Sequence, residues 1–308
     1  MQVAVVGAGI SGVACARVLT DAGHDVVVLD RGRVPGGRMA SRRVEGRYVD
    51  LGASYLTART PAFVAVVDDL VARGIARPWT DTFQVASSAG PGERKPGPIR
   101  YAAPGGLRSL VTDLATGLDV RQQVDVAAVG PGPSIDGAAY DAVVLAMPDP
   151  QALRLLDPSL LAERAAIEGR AWQPVLALAA GWPSRAWDFD GLFVNDSAVL
   201  DWVADDGARR GDGAPVLVAH SRPGFAASRL VDPPEAGPEL IAALRGMLGL
   251  GEPTWSSVQR WTFAKPVGTR EQTHWLGEAG IGLCGDGWGT ANVEAAWLSG
   301  TELGRALA

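Results

Sequence analysis

The 308-residue sequence predicts an α/β fold built from two domains. Three observations support this prediction. A complete strand–helix–strand unit fills the first 30 residues, and a buried strand followed by a helix returns at the far end of the chain. Between them, from about residue 150 to 265, short apolar segments separated by Gly, Pro and Asp indicate a mainly antiparallel sheet inserted into the α/β domain.

The N-terminal unit begins with Val3 to Val6, a continuous β-branched run typical of a strand buried on both faces of a parallel sheet. Val13 to Ala22 has the pattern of a helix that Gly23 ends, and Asp25 to Asp30 is the second buried strand. The turn between the first strand and the helix has the GxGxxG spacing, with Gly7, Gly9, Ile10, Ser11 and Gly12. This order predicts a Rossmann-type dinucleotide-binding unit.

Each of these residues has a physical reason to be there. The first glycine allows a tight turn, the second lets the backbone approach a pyrophosphate, and the third lets helix and strand pack closely. Asp30 ends the second strand, where a carboxylate can bind ribose hydroxyls, and it disfavours the 2′-phosphate of NADP. Arg31 follows and is predicted to contact the cofactor as well. The alternative is a glycine-rich turn that merely joins strand to helix.

Two further motifs distinguish FAD from NAD. Pro35-Gly36-Gly37-Arg38 can wrap a pyrophosphate from its other side, with Arg38 making charge-assisted contacts, unless it is a flexible loop with a solvated arginine. Gly285-Asp286 returns the chain to the cofactor, and the helix from Val293 directs its positive end at a ligand. A reduced flavin carries negative charge that such a helix end stabilises, whereas a nicotinamide needs no second clamp. Asp286 could otherwise be a turn or helix-capping acid. The motifs together predict FAD.

The GAGISG unit, the PGGR motif, the Asp50-Leu51-Gly52-Ala53 segment and the C-terminal GDGW and VEAAWLSG segments resemble the flavin amine oxidase superfamily. The compact length, with the RWTFAKP segment at Arg260 to Pro266 and Leu200-Asp201-Trp202, is most similar to its renalase branch. The resemblance is specific at both ends of the chain. It is thin over residues 60–100 and 150–250, where the substrate is expected to bind.

This resemblance implies a role for each matching position. Gly7, Gly9 and Gly12 match the ADP-binding glycines, Asp30 the ribose acid and Arg38 the pyrophosphate arginine. Val124 matches the residue whose backbone pairs with adenine. The remaining matches lie near the ribityl chain and the flavin ring, at Gly52, Ala53, Gly285, Asp286 and Val293. No cysteine occupies an obvious attachment site, so the FAD is expected to be non-covalent.

The resemblance also implies a glutathione-reductase-like FAD domain that is discontinuous in sequence. We predict that residues 1–58, 102–150 and 270–308 form it, and that 59–101 and 151–269 form the substrate domain. Helices are predicted over Thr60 to Gly74, Gly106 to Leu118, Pro238 to Leu248 and Val293 to Leu307. Residues 86–98 are predicted to be a surface loop, and Asp119 to Val129 a strand.

Composition excludes several classes of function. The net charge is −6 and its Lys and Arg are dispersed, so neither nucleic acid nor an anionic membrane is an expected partner. Cys15 and Cys284 lie far apart and outside any CxxC spacing, so no metal site or disulfide framework is predicted. The N-terminus has no basic leader pattern and apolar runs are short, so a cytoplasmic location is expected. The sequence does not predict an oligomeric state.

In the family that the sequence resembles, a hydride leaves a carbon next to nitrogen and the electrons pass to O₂, giving H₂O₂. The renalase branch implies a dihydropyridine substrate, an isomer of reduced NAD(P). His220, Lys265 and Trp288 are weak catalytic candidates. A strand-end histidine and a surface lysine are the preferred interpretations of the first two, and core packing explains the tryptophan equally well. The alternatives are a flavin amine oxidase or desaturase, an NAD-linked dehydrogenase, and a non-enzymatic binder like the GDP-dissociation inhibitors.

Overall fold

A six-stranded sheet forms the first layer of the fold. The computed structural model describes residues 1–87 and 90–308. The strand order is β17-β18-β11-β1-β2-β7, parallel throughout except for the antiparallel edge pair β17 and β18. Its strands are β1 Gln2–Val6, β2 Asp25–Asp30, β7 Asp119–Gln122, β11 Ala142–Ala146, β17 Trp275–Leu276 and β18 Ile281–Cys284.

A seven-stranded sheet forms the second layer. Its order is β16-β12-β15-β14-β13-β5-β6, antiparallel except where β13 runs parallel to β5. Its strands are β5 Arg77–Ser87, β6 Gly90–Ala102, β12 Trp172–Gly181, β13 Gly191–Val194, β14 Leu200–Asp205, β15 Val216–Ser221 and β16 Trp255–Pro266. Small ladders elsewhere comprise β3 Ser41–Val44 with β4 Arg47–Asp50, and β8 Val129–Gly130, β9 Ser134–Ile135 and β10 Ala138–Ala139.

Helices cover both sheets. They are α1 Ile10–Asp21, α2 Pro61–Ala72, α3 Leu107–Leu114, α4 Asp149–Leu155, α5 Leu161–Ile167, α6 Asp206–Arg210, α7 Pro223–Ala227, α8 Gly237–Leu248 and α9 Val293–Leu307. Short 3₁₀ turns occupy Gly37–Met39 and Pro233–Ala236. Leu240 and Leu244 of α8 pack on Leu178 and Leu217, which covers the outer face of the second sheet. The opposite, inner face of the second sheet faces the first sheet.

The contact between α1 and α9 holds the two ends of the chain together. A Cβ placed on Gly300 of α9 would lie 1.9 Å from the carbonyl oxygen of Ser11 in α1. One turn further, a Cβ on Gly304 would lie 3.0 Å from the carbonyl oxygen of Cys15. The helices therefore approach backbone to backbone, which only glycine permits at Gly300.

The predicted α/β fold with an inserted, mainly antiparallel sheet is confirmed. The α9 bounds agree residue for residue, as do those of the strand over residues 25–30. The domain boundaries stay a prediction. Phe63 and Val67 of α2 share one apolar cluster with Ile10, Leu107 and Val293.

The prediction of a loop over residues 86–98 is wrong for the described part of that range; residues 88 and 89 lie outside the described residues. β5 and β6 pair there as a hairpin, with Thr82 opposite Pro96. Proline and glycine fit because β6 is the edge strand, so a missing N–H and an exposed face cost little.

The strand predicted over Asp119 to Val129 is also shorter than expected. β7 ends at Gln122, and Gln123 takes a left-handed conformation with φ of +60°. The chain then turns back along β2, where the Gln123 N–H donates to the Gly32 carbonyl oxygen at 2.9 Å. Among the described residues, no helix is long and apolar enough to cross a bilayer.

Candidate functional site

A cleft of about 1750 Å³ lies at the carboxyl ends of β1, β2, β11 and β18, facing the inner side of the second sheet. The carboxyl edge of a parallel sheet is where such folds bind ligands. The predicted cofactor-binding residues that line this cleft are Gly7, Gly9, Ile10, Ser11, Asp30, Arg31, Gly37, Arg38, Gly52, Ala53, Val124, Gly285, Asp286 and Val293. Segments distant in sequence are thus brought to one cavity.

Gly12 does not line the cleft, and its position explains why it is glycine. A Cβ there would lie 1.9 Å from the Gly7 carbonyl oxygen, so it lets α1 start directly under the turn. Gly7 itself has φ of +112°, and a Cβ on it would lie 2.6 Å from the Ala146 carbonyl oxygen at the end of β11. The turn is therefore closed against two neighbouring segments, which keeps the N–H groups at the start of α1 facing the cleft.

Asp30 is held in place by backbone donors. Its Oδ2 accepts the Ala8 N–H at 2.7 Å, and its Oδ1 accepts the Gly32 N–H at 2.6 Å. The carboxylate thus links the glycine-rich turn to the loop that follows β2. Each oxygen retains a lone pair, since a carboxylate oxygen can accept more than one hydrogen bond.

Arg38 and Asp286, which come from opposite ends of the chain, form a two-pronged ion pair. The Arg38 Nη1 donates to the Asp286 Oδ2 at 2.7 Å, and the Nη2 donates to the Oδ1. Arg38 Nη1 also donates to the Ala264 carbonyl oxygen at 3.2 Å, and its guanidinium lies 5.2 Å from the centre of the Trp172 ring. The pair joins the PGGR turn to the C-terminal motif in the middle of the cleft.

The loop after β4 forms the next part of the wall. The Ala53 N–H donates to the Arg38 carbonyl oxygen at 2.9 Å, and a Cβ on Gly52 would lie 1.9 Å from that oxygen. Trp261 Nε1 donates to the Leu51 carbonyl oxygen at 2.7 Å. Gly52 is therefore a close-approach glycine that lets this loop pack directly on the PGGR turn.

At the start of α9, Asn292 caps the helix, because its Oδ1 accepts the Ala295 N–H at 2.8 Å. Val293 and Ala296 face the cleft. Glu294 points away and caps a different helix: its carboxylate accepts the Thr60 N–H and Oγ1–H, both at 2.7 Å, and the Arg59 N–H at 3.1 Å. This buried carboxylate therefore holds the N-terminus of α2 against α9.

Replacing Glu294 with alanine is expected to lower the free energy of unfolding by about 2–3 kcal/mol, because charge-assisted hydrogen bonds contribute about 1.5–3 kcal/mol. Glu294 is only 6% exposed, so water does not replace the lost acceptor. Urea unfolding of the cofactor-free protein measures the change. Glu294→Gln, which keeps one acceptor oxygen, should lose about half as much. A loss below about 0.5 kcal/mol for the alanine variant would show that the cap is unimportant.

Val124 lies in the cleft, but its N–H is already used. It donates to the Asp30 carbonyl oxygen at 3.0 Å, so this backbone group cannot also pair with adenine. Val126 lies two residues further along the same extended segment and also lines the cleft. The adenine-pairing role that the resemblance implies for Val124 stays a prediction, with the Val124 carbonyl oxygen as the remaining backbone group.

The three catalytic candidates are placed differently. His220 on β15 lines the cleft, and its buried Nε2 has no partner among the described residues; burial, with help from Lys265 and Arg209, lowers its pKa to about 3. Lys265 also lines the cleft but is half exposed, with Nζ 3.5 Å from Asp201 Oδ2. Trp288 does not reach the cleft: it is 3% exposed, its ring lies under the Arg270 guanidinium at 4.2 Å, and it borders a separate cavity of about 440 Å³.

The neutral His220 predicts a specific pH dependence of stability. Its folded pKa lies below its value of 6.5 in the unfolded chain, so the unfolded state binds a proton first as the pH falls. The stability that His220 contributes is present above about pH 6.5 and is lost toward pH 3, by about 1.4 kcal/mol for each pH unit. Urea unfolding of wild type and His220→Gln between pH 5 and 7 tests this. Parallel curves for the two proteins would contradict it.

Residues 5–70 match the family described as an NAD(P)-binding Rossmann-like domain, and residues 73–306 match the family described as flavin containing amine oxidoreductase. The second match covers well over half of the chain. The protein belongs to the flavin-containing amine oxidoreductase family. The superfamily that the terminal motifs resemble is thereby confirmed.

The sequence is similar to individual members of this family only over short segments, whereas the fold is similar over the whole chain. Human amine oxidase B is 53% identical over 56 residues, which are 18% of this chain and 11% of that protein. The chain spans 11 to 15% of the length of the curated relatives it matches. The fold is similar to a solved structure of putrescine oxidase bound to putrescine, with a TM-score of 0.77, 17% identity, and 100% of this chain and 99% of that chain covered.

A solved fatty acid isomerase from P. acnes also has a similar fold, with a TM-score of 0.71, 13% identity, and 99% of this chain and 98% of that chain covered. Oxidases and an isomerase therefore share this architecture. Fold similarity at this level of identity leaves the substrate open, so the cleft of this family member must be interpreted from its own residues.

An aromatic wall forms part of the cleft. Tyr55, Phe193 and Trp202 pack together, with ring centres 4.9 Å apart for Phe193 and Trp202 and 5.8 Å for Tyr55 and Trp202. All three line the cleft, and Trp202 Nε1 donates to Ser54 Oγ at 2.9 Å. They come from β13, β14 and the loop after β4, so no local pattern relates them.

A buried ion network behind this wall was not predicted. Arg209 is fully buried and donates to the carbonyl oxygens of Ser54 and Asp50, each at 3.0 Å, while it pairs with Asp206. It thereby fixes the loop that carries Gly52 and Ala53. A basic pair on a short helix gives no sequence signal of such a role.

Proposed function

We propose that the protein is an FAD-dependent oxidoreductase that binds FAD non-covalently in the cleft. One observation carries this proposal. A single continuous cavity runs past the glycine-rich turn before α1, Asp30, the Arg38–Asp286 pair and the start of α9. Asp30 suits the ribose, the glycine-rich turn and Arg38 suit the pyrophosphate, and the start of α9 suits the flavin. When bound, FAD supplies a hydride acceptor, and the protein supplies orientation and electrostatics.

The residues present fit such a cofactor. Gly9 and Gly37 both line the cleft and lie against each other, since a Cβ on Gly37 would lie 3.2 Å from the Gly9 Cα, so the two turns leave space for a ligand there. Non-covalent binding is supported by the two cysteines, which are both buried in the core around β1 and α1. Burial raises the pKa of Cys284 to about 12, so its thiol is not a nucleophile at neutral pH.

For the substrate, we propose a dihydropyridine such as an isomer of reduced NAD(P), with O₂ as the electron acceptor and H₂O₂ as a product. Charge supports an anionic substrate. In the described part of the chain, nine basic and four acidic side chains line the cleft, although the whole protein has a net charge of −6. The two charges of the FAD pyrophosphate leave a positive excess, which favours a phosphate-bearing molecule over an amine cation.

The inner face of the second sheet supports the same substrate. The flat rings of Tyr55, Phe193 and Trp202 offer a surface on which a planar ring can stack. Beside them lies the imidazole of His220, whose Nε2 is buried and has no partner among the described residues. Burial lowers its pKa to about 3, which makes it a weak base, so it contributes a polar but uncharged group to this part of the cleft.

An amine substrate is the second candidate. Asp201 lines the cleft next to Trp202, and a carboxylate beside an aromatic ring is a common arrangement for binding an ammonium group. However, Asp201 is already paired with Arg222 at 3.1 Å and with Lys265 at 3.5 Å. An amine would have to displace one of these partners, which weakens this candidate.

A visible absorbance spectrum of the purified protein tests the cofactor. A flavin spectrum, with FAD passing a filter after heat denaturation, supports the proposal. Anaerobic mixing with isomeric dihydronicotinamide dinucleotides and with small amines then tests the substrate, since only a substrate bleaches the flavin quickly. A colourless protein that takes up no added FAD would overturn the oxidoreductase proposal. Bleaching by amines alone would favour the second candidate.

A further inference from the structure

Arg108, the second residue of α3, lies across the PGGR turn and has no role in the site described so far. A Cβ placed on Gly36 would lie 3.1 Å from its Cγ and 3.3 Å from its Nε. The side chain therefore packs flat on the turn, and it lines the cleft. Only glycine at position 36 allows this contact, because Gly36 also has φ of +139°.

The positive charge of Arg108 is uncompensated. Among the described residues, its guanidinium makes no ion pair and no hydrogen bond, and its Nε is shielded from water without a partner. The neighbouring carboxylate of Asp50 is engaged by Ser41, by the Leu107 N–H and by Arg210. Burial lowers the pKa of Arg108, and the charge of Asp50 opposes this only in part. A half-buried cation without a counter-ion is unfavourable, so an anion is expected beside it.

The backbone of Arg108 is also fixed. The Leu107 N–H donates to Asp50 Oδ1 at 3.1 Å, and the Arg108 N–H donates to Ser41 Oγ at 3.3 Å. Ser41 in turn donates to Asp50. This buried pair holds the first turn of α3, so the Arg108 side chain starts from a fixed backbone position beside the cleft.

The turn beneath Arg108 identifies the anion. The Gly36 N–H donates to the Ala8 carbonyl oxygen at 2.9 Å, and a Cβ on Gly37 would lie 3.2 Å from the Gly9 Cα. The PGGR turn thus lies against the glycine-rich turn at the start of α1. We propose that Arg108 binds the pyrophosphate of the cofactor, as a second arginine in addition to Arg38. The inference rests on FAD being the cofactor, but not on the substrate. A guanidinium suits a pyrophosphate because it donates in a planar, two-pronged arrangement.

Titration of the cofactor-free protein with FAD, followed by flavin fluorescence, tests this role. Arg108→Gln should weaken FAD binding about ten- to hundredfold, as expected for the loss of a charge-assisted hydrogen bond. ADP, used as a competitor, should weaken by the same factor because it contains the same pyrophosphate. Arg305→Gln, an equal charge change at the far end of α9, should leave FAD affinity within about twofold of wild type.

Thermal unfolding of the same cofactor-free variants separates binding from a structural role. Removing an unpaired cation should leave the melting temperature of Arg108→Gln unchanged or raise it. Unchanged FAD affinity, or a lower melting temperature that accompanies the loss of affinity, would overturn the inference. A wild-type protein that binds FAD but oxidises no dihydropyridine would refute the proposed substrate while leaving Arg108 testable. A wild type that does not bind FAD would refute both.

Discussion

Gly300→Ala is expected to lower the free energy of unfolding by about 3 kcal/mol or more, at or beyond the upper end of typical overpacking costs. The added Cβ would lie 1.9 Å from the Ser11 carbonyl oxygen, which is backbone and cannot rotate away. The change therefore forces α1 and α9 apart. Since the starts of both helices line the cleft, FAD affinity should fall together with stability.

Gly246→Ala is the matched control, since Gly246 also lies within a helix, α8, but a Cβ there meets nothing within 4 Å. This variant should gain about 0.5–1 kcal/mol, because alanine loses less backbone freedom on folding than glycine. Urea unfolding of both variants without cofactor measures the difference. Equal effects of the two substitutions would contradict the close contact between α1 and α9.

Arg38→Ala is expected to weaken FAD binding by at least about a hundredfold, because it removes a charge-assisted, two-pronged donor from the middle of the cleft. It also leaves the carboxylate of Asp286, whose side chain is 15% exposed, without its partner. An unpaired carboxylate in this position repels a pyrophosphate and destabilises the fold, by about 2–3 kcal/mol. Arg38→Lys keeps the charge but not the planar geometry, so an intermediate affinity is expected.

A double-mutant cycle with Asp286→Asn assigns these effects. If the ion pair contributes to stability, the double variant should be less destabilised than the sum of the single variants, by about 1 kcal/mol or more. FAD affinity within about threefold of wild type for Arg38→Ala would show that the arginine serves only to pair with Asp286.

The sequence predicted those parts of the site that local patterns encode. A buried strand, the GxGxxG spacing and a helix form a recognisable pattern over 30 residues. The glycine-rich turn before α1 and Asp30 were therefore predicted without a structure. Arg38, Asp286 and Val293 were found because their short motifs are specific to the family. Helix α9 was predicted to the residue, and the structure shows that Asn292 caps it.

Other predictions failed because contacts with residues distant in sequence decide the conformation or position of a segment. The Pro- and Gly-rich run after residue 86 pairs as a strand because it lies at a sheet edge. Trp288 follows a cofactor motif, yet its side chain turns to Arg270 and away from the cleft.

A sequence pattern therefore shows that a residue is buried, lies in a turn or starts a helix, because these properties depend on neighbours within a few positions. It does not show which segments meet. The Tyr55, Phe193 and Trp202 wall, the bare Nε2 of His220 and the uncompensated charge of Arg108 exist only once the strand order of both sheets has brought distant segments together. Their chemistry depends on burial and on missing partners, which are properties of the packed molecule rather than of the chain.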